Sequence, residues 1–142
     1  MSVIAFDGKI IAADKQATAN GLVIESTKLI RRNGIILGWT GATDYGRTLA
    51  DWYLEGAKKD QWPKFQESDG WARLIVFDKE LFFYEQAPTR IPVEHPFMAW
   101  GAGRDFAMAA MYLGHTATKA VEVASSMCDS CGIGIDCFRV GK

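Results

Sequence analysis

Short apolar runs fill the start of the chain, and turn dipeptides separate them. "AFDGKII" sets Asp7-Gly8 between two such runs, and "LIRRNGIILGW" does the same with Asn33-Gly34. Both dipeptides favour two-residue hairpin turns, where the backbone needs positive φ at both central residues. The first 40 residues therefore read as two consecutive hairpins with strands at Ser2–Phe6, Lys9–Asp14, Leu22–Ser26 and Ile35–Thr40. "KIIAAD" and "GIILGW" do not alternate cleanly, which is the pattern of strands covered on both faces. Helices or a second sheet must then lie on each side.

Helical spacing follows. Tyr45, Leu49, Trp52, Tyr53 and Gly56 recur on one face, with Thr43 or Asp44 as the expected cap. "KKDQWPKFQESDG" is charged and broken by Pro63 and Gly70, so it reads as the helix end and a loop. "ARLIVFDKELFFYE" predicts two strands around Asp78-Lys79-Glu80. "QAPTRIPVEHP" holds three of the four prolines and reads as a surface connection, and "FMAWGAG" as a short buried strand. Two helices follow. Arg104–Leu113 is expected to bury Phe106, Ala109, Ala110 and Leu113, with Gly114 as its stop. Thr116–Cys128 is expected to bury Ala117, Ala120, Val121, Ala124 and Met127. A last strand is predicted at Gly134–Val140. The order is that of an α+β protein, a four-layer αββα sandwich with helices outside two sheets, in one domain over residues 1–142.

Composition narrows the partners. Of 142 residues 49% are hydrophobic and 23% charged, with a net charge of −1, so no global field draws nucleic acid or an anionic membrane. No apolar run approaches the roughly 18 residues of a membrane span, and no signal peptide is visible. The chain reads as cytoplasmic. Its three cysteines, Cys128, Cys131 and Cys137, do not suit a disulfide framework. One Cys-x-x-Cys offers two ligands where a structural zinc needs four, and His95 and His115 have no fitting spacing. Neither a metal nor a cofactor is expected.

Four blocks carry a resemblance: "VIAFDGKIIAADKQAT", "STKLIRRNGIILGWTGATD", "WGAGRDFAMAA" and "CDSCGIGIDCF". Together the chain resembles a short, divergent member of the proteasome β-subunit family, including its bacterial HslV-type peptidases. Those are N-terminal-nucleophile hydrolases. The first two blocks are the specific ones.

The resemblance implies a peptidase whose nucleophile is the first residue of the mature chain. Loss of Met1 would expose Ser2 as that residue. A free α-amine has a pKa of about 7.7–8.0, so it can serve as base for its own hydroxyl. By position, Lys28 matches the lysine that favours a neutral amine and Asp14 the aspartate that holds it. Gly41 matches the glycine whose N–H faces the oxyanion. Asp129, with Ser130, matches the group beside the terminal amine. The family often has Gly-Ser-Gly where this chain has Gly101-Ala102-Gly103, and Ser-Gly-Gly near Cys131-Gly132-Ile133. An ungapped comparison sets Met1, not Ser2, opposite the catalytic residue. The expected substrate is unfolded polypeptide, acted on within a homo-oligomer; the resemblance also brings in an ATPase unfoldase as a candidate partner. Two other readings follow from the same residues: an inactive scaffold or assembly subunit, and a hydrolase of small amides.

Overall fold

The computed structural model describes residues 2–65 and 71–140. Met1 and the end of the proline-broken loop lie outside the described residues. The fold is α+β, with three α-helices and eleven strands among the described residues.

The N-terminal sheet is antiparallel, in the order β10-β1-β2-β11. Its strands are β1 (Val3–Phe6), β2 (Ile10–Asp14), β10 (Met98–Gly101) and β11 (Ile135–Arg139). The second sheet is a meander of consecutive strands: β5 (Leu29–Arg32), β6 (Ile35–Gly41), β7 (Ala72–Asp78), β8 (Glu80–Tyr84) and β9 (Ile91–Pro92). A separate hairpin joins β3 (Gln16–Ala19) to β4 (Leu22–Glu25).

The N-terminal region therefore holds three hairpins, not two. Leu22–Ser26 does not pair with Ile35–Thr40. Its partner is β3, and β6 pairs instead with β5 across Asn33-Gly34. The third turn is Asn20-Gly21, with φ of 51° and 79°, the same chemistry as Asn33-Gly34 at 52° and 78°. Asp7-Gly8 behaves differently from the expected two-residue turn. Only Gly8 has positive φ, while Asp7 Oδ1 accepts from the Lys9 and Ile10 amides, both at 2.8 Å. Its other oxygen accepts from Ala117 N at 2.8 Å, tying the first hairpin to a helix start. Ile91–Pro92, expected as plain connection, forms the exposed edge of the meander, where a proline is tolerated.

Three apolar clusters fill the interior. Val3, Ala5 and Ala12 pack against α2 (Arg104–Tyr112) and α3 (Ala117–Met127). Ile4, Ile11 and Trp100 meet Leu29, Ile36 and Ile75 from the meander. Leu37, Trp39 and Leu74 pack against α1 (Thr43–Leu54) through Leu49, Trp52 and Tyr53. Each sheet thus presents alternate residues to different clusters, which explains the apolar runs without alternation.

Small residues set the close approaches. Gly46 lies against Trp39: a Cβ there would fall 2.4 Å from the indole. The buried α2 face is Ala107, Ala110 and Met111, which shares only Ala110 with the expected one; Ala109 is exposed. Phe106 and Leu113 are exposed, because the alanines pack against Ala117, Ala120 and Ala124 of α3 and turn the larger residues outward. Met127 is likewise exposed rather than buried. Thr116 caps α3 by accepting from Lys119 N at 3.1 Å. For α1 the cap position is Ala42, with no side-chain cap; Asp44 sits in the first turn, where the helix dipole favours it. Among the described residues, no helix is long and apolar enough to cross a membrane.

Tyr53 gives the fold a titratable brace. Its hydroxyl donates to Asp78 Oδ2 at 2.7 Å. Burial, helped by this bond and by the Asp78 charge, raises the phenol well above its ordinary value of 10.0. The native state then keeps a proton that the unfolded chain releases near pH 10. The stabilisation is complete below that pH and is lost as pH rises toward the folded value. Tyr53→Phe is expected to cost about 1–2 kcal/mol at pH 8. Urea denaturation at pH 8 and pH 11 checks it: the gap between parent and variant must narrow at the higher pH.

Candidate active site

The end of β2 places Asp14 in the interior at 0% exposure. An unpaired carboxylate there would be expensive. Four donors satisfy this one. Oδ1 accepts from Lys28 Nζ at 2.6 Å and from Val3 N at 3.0 Å. Oδ2 accepts from Gly132 N at 3.1 Å and Gln16 N at 3.2 Å. The carboxylate therefore joins β1, the β2–β3 corner, the residue before β5, and the loop after α3.

Lys28 is 3% exposed and also donates to Gln16 O at 2.7 Å. Burial lowers its pKa, and the Asp14 charge and hydrogen bond oppose that shift. Nearby, burial and then the Asp14 charge push the Cys131 thiol up to about 12, so it stays protonated at neutral pH.

Ser2 is 1% exposed. Its carbonyl accepts from Gly103 N at 3.2 Å, and the next amide, Val3 N, is the one on Asp14. Its hydroxyl has no hydrogen-bond partner among the described residues. Val3 and Ala5 face the α2–α3 side and Ile4 faces the meander, while Ser2 lies just ahead of β1. The backbone after Ser2 thus reaches the Asp14–Lys28 pair while its Oγ does not bond to either.

Gly41 ends β6 with φ +95°. A Cβ there would meet Trp71 O at 2.3 Å, so only glycine fits. It lines a cleft of about 560 Å³ together with Trp71, Arg73, Trp100, Gly101 and Arg104. Arg73 is paired with Glu85 on one wall, Nη2 to Oε1 at 2.6 Å. Asp129 enters the site by its carbonyl, which accepts from Gln16 Nε2 at 2.8 Å, while its residue is exposed. Ser130 is half-buried in the same loop.

Of the residues expected from sequence, Asp14 and Lys28 meet directly and Ser2 joins them through its following amide. Three contributors were not foreseen. Gln16 supplies an amide, a carbonyl and a side-chain donor, Gly132 an amide, and Cys131 a buried thiol. A glutamine at the first position of an otherwise small-residue strand, "QATA", is the one signal that pointed to it. Among the described residues, no group of three or more His, Cys, Asp or Glu side chains is placed to hold a metal.

The arrangement of these sheets and helices is similar to that of solved HslV and BPH structures. Three solved structures share it over nearly their whole length. BPH from Thiobacillus denitrificans, in complex with epoxomicin, is 21% identical at a TM-score of 0.74, with 99% of this chain and 98% of that one covered. BPH from the same organism, in a second structure, is 20% identical at 0.72, covering 99% and 97%. Eukaryotic HslV from Trypanosoma brucei is 20% identical at 0.73, covering 99% of both chains. No protein-family model matches the sequence, and no curated protein does.

Proposed function

We propose that the chain is an N-terminal-nucleophile peptidase that cleaves unfolded polypeptides inside a homo-oligomer, with Ser2 as nucleophile. The observation that carries the reading is the buried Asp14–Lys28 pair bonded to the amide after Ser2. The fold shared with HslV and BPH supports it.

The chemistry runs as follows. Removal of Met1 frees the Ser2 α-amine and leaves that residue with one peptide bond. The freed end turns its Cβ toward Lys28, a movement a strand interior could not make. The neutral amine accepts the hydroxyl proton as Ser2 Oγ attacks the scissile carbonyl. Lys28, charged and held by Asp14, favours the neutral amine and the developing alkoxide. The Gly41 N–H binds the oxyanion at the mouth of the cleft. Asp129 and Ser130 position the amine. The leaving amine takes its proton from the ammonium, and water repeats the sequence on the acyl-enzyme.

The three core clusters support a four-layer αββα stacking of one domain over residues 1–142. A cytoplasmic location and an ATPase unfoldase partner belong to the same reading, by analogy of fold.

The unpartnered Ser2 hydroxyl favours one competing reading, an inactive scaffold subunit. A fluorogenic-peptide assay on protein whose intact mass shows Met1 removed separates the two. The parent is expected to hydrolyse peptides, and Ser2→Ala to lose at least about a thousandfold in rate. A processed parent without activity, or Ser2→Ala as fast as the parent, would sink the peptidase reading. Native mass spectrometry reads the assembly.

A further inference from the structure

The loop after α3 holds two cysteines three residues apart, Cys128 and Cys131. Cys128 follows the last helical residue, and its amide still donates to Ala124 O at 2.8 Å. Three residues on, Cys131 N donates to Cys128 O at 3.2 Å. That bond closes a turn, and turn ends lie within about 7 Å of each other at Cα. A disulfide needs a Cα separation of roughly 4.4–6.8 Å, so the turn brings the two cysteines into range. The Cys128 side chain lies near enough to help raise the Cys131 thiol, after burial and the Asp14 charge. Cys131 is buried over Gly103, where an added Cβ would fall 2.9 Å from its Sγ, and Cys128 is half-buried.

The same loop supports Asp14. Gly132 N donates to Asp14 Oδ2, Gly132 O accepts from Lys15 N at 3.0 Å, and Asp129 O accepts from Gln16 Nε2. The residue after Cys131 is thus clamped to the β2–β3 corner on both its polar groups.

We propose that Cys128 and Cys131 form a redox-active dithiol whose closure to a disulfide shifts the Gly132 amide on Asp14. The oxidant is a low-molecular-weight disulfide. Cys128, the more accessible thiol, attacks as thiolate and releases one equivalent of small thiol, leaving a mixed disulfide. Cys131 then displaces the second small thiolate, which takes up the proton that Cys131 gives up. Two protein thiols are oxidised and one small disulfide is reduced to two thiols. The inference does not depend on the identity of the nucleophile, because it concerns only the loop and the carboxylate it holds.

Cys137 on β11 is exposed and is removed by Cys137→Ser to leave the pair alone. The folded, reduced variant is incubated with glutathione disulfide. Remaining thiols are then blocked with iodoacetamide in denaturant and the intact mass is read. Both alkylation sites are expected to vanish together without a glutathione adduct and to return with dithiothreitol. With Cys128→Ser added, Cys131 is expected to stay alkylatable. In the oxidised parent variant, the Gly132 amide resonance is expected to move in a ¹⁵N correlation spectrum. Thiols that stay free, two separate glutathione adducts, or a closed disulfide with an unmoved Gly132 amide each overturn the proposal.

Discussion

Replacing Asp14 with alanine is expected to cost about 3–5 kcal/mol of folding stability, because it strands the Lys28 ammonium in the interior. The loss is larger than a surface ion pair of the same length would give. Asp14 and Lys28 are 0% and 3% exposed, so water cannot replace the missing partner. The carboxylate also accepts from the amides of Val3, Gln16 and Gly132, which the variant leaves without it. Adding Lys28→Met removes the stranded charge and is expected to restore part of the loss. Urea denaturation of the parent, both single variants and the double variant measures the coupling. An Asp14→Ala protein within about 1 kcal/mol of the parent would mean the pair is open to water.

Gly101→Ala is expected to cost roughly 2–5 kcal/mol and to abolish any hydrolysis. Gly101 has φ +100°, and a Cβ there would lie 2.2 Å from Ser2 O. That contact is with backbone, so no side-chain rotation relieves it. The Ser2 carbonyl must move, and with it the bond from Gly103 N. Gly114 is the matched control. Its φ is +96°, with no atom within 4 Å of an added Cβ, so Gly114→Ala carries the backbone strain alone. Thermal denaturation of the two variants separates strain from collision. Equal losses would show that the Ser2 carbonyl yields freely.

The fold was legible wherever turn chemistry and apolar runs coincided. Asn33-Gly34 locates the turn into β6, though not β5 as its partner, and the expected apolar positions of α3 lie on its buried face apart from Met127. What escaped was decided by neighbours far along the chain. The α2 face could not be told from periodicity, because Phe106 and Ala107 differ by one helical step and only contact with α3 selects the alanine. The β3–β4 hairpin escaped because Leu22, Val23 and Ile24 are all exposed, so no buried face marks its register. In the site, Asp14 and Lys28 were legible as charges next to apolar runs. Gln16 and Gly132 act mainly through backbone groups, and every residue has those, so composition gives no sign of them.

The two sheets differ in how the chain must travel to make them. Neighbouring strands of the meander are consecutive in sequence, whereas β1 and β2 find their outer partners in β10 and β11, far along the chain. Closing such long loops costs more chain entropy than closing hairpins, and slows folding. Gly132 lies just ahead of β11, so the fourth donor on Asp14 reaches its place from the far end of the chain. A nascent chain still short of those residues holds Asp14 and Lys28 but not the loop that completes them. The site is therefore complete only once β11 docks beside β2.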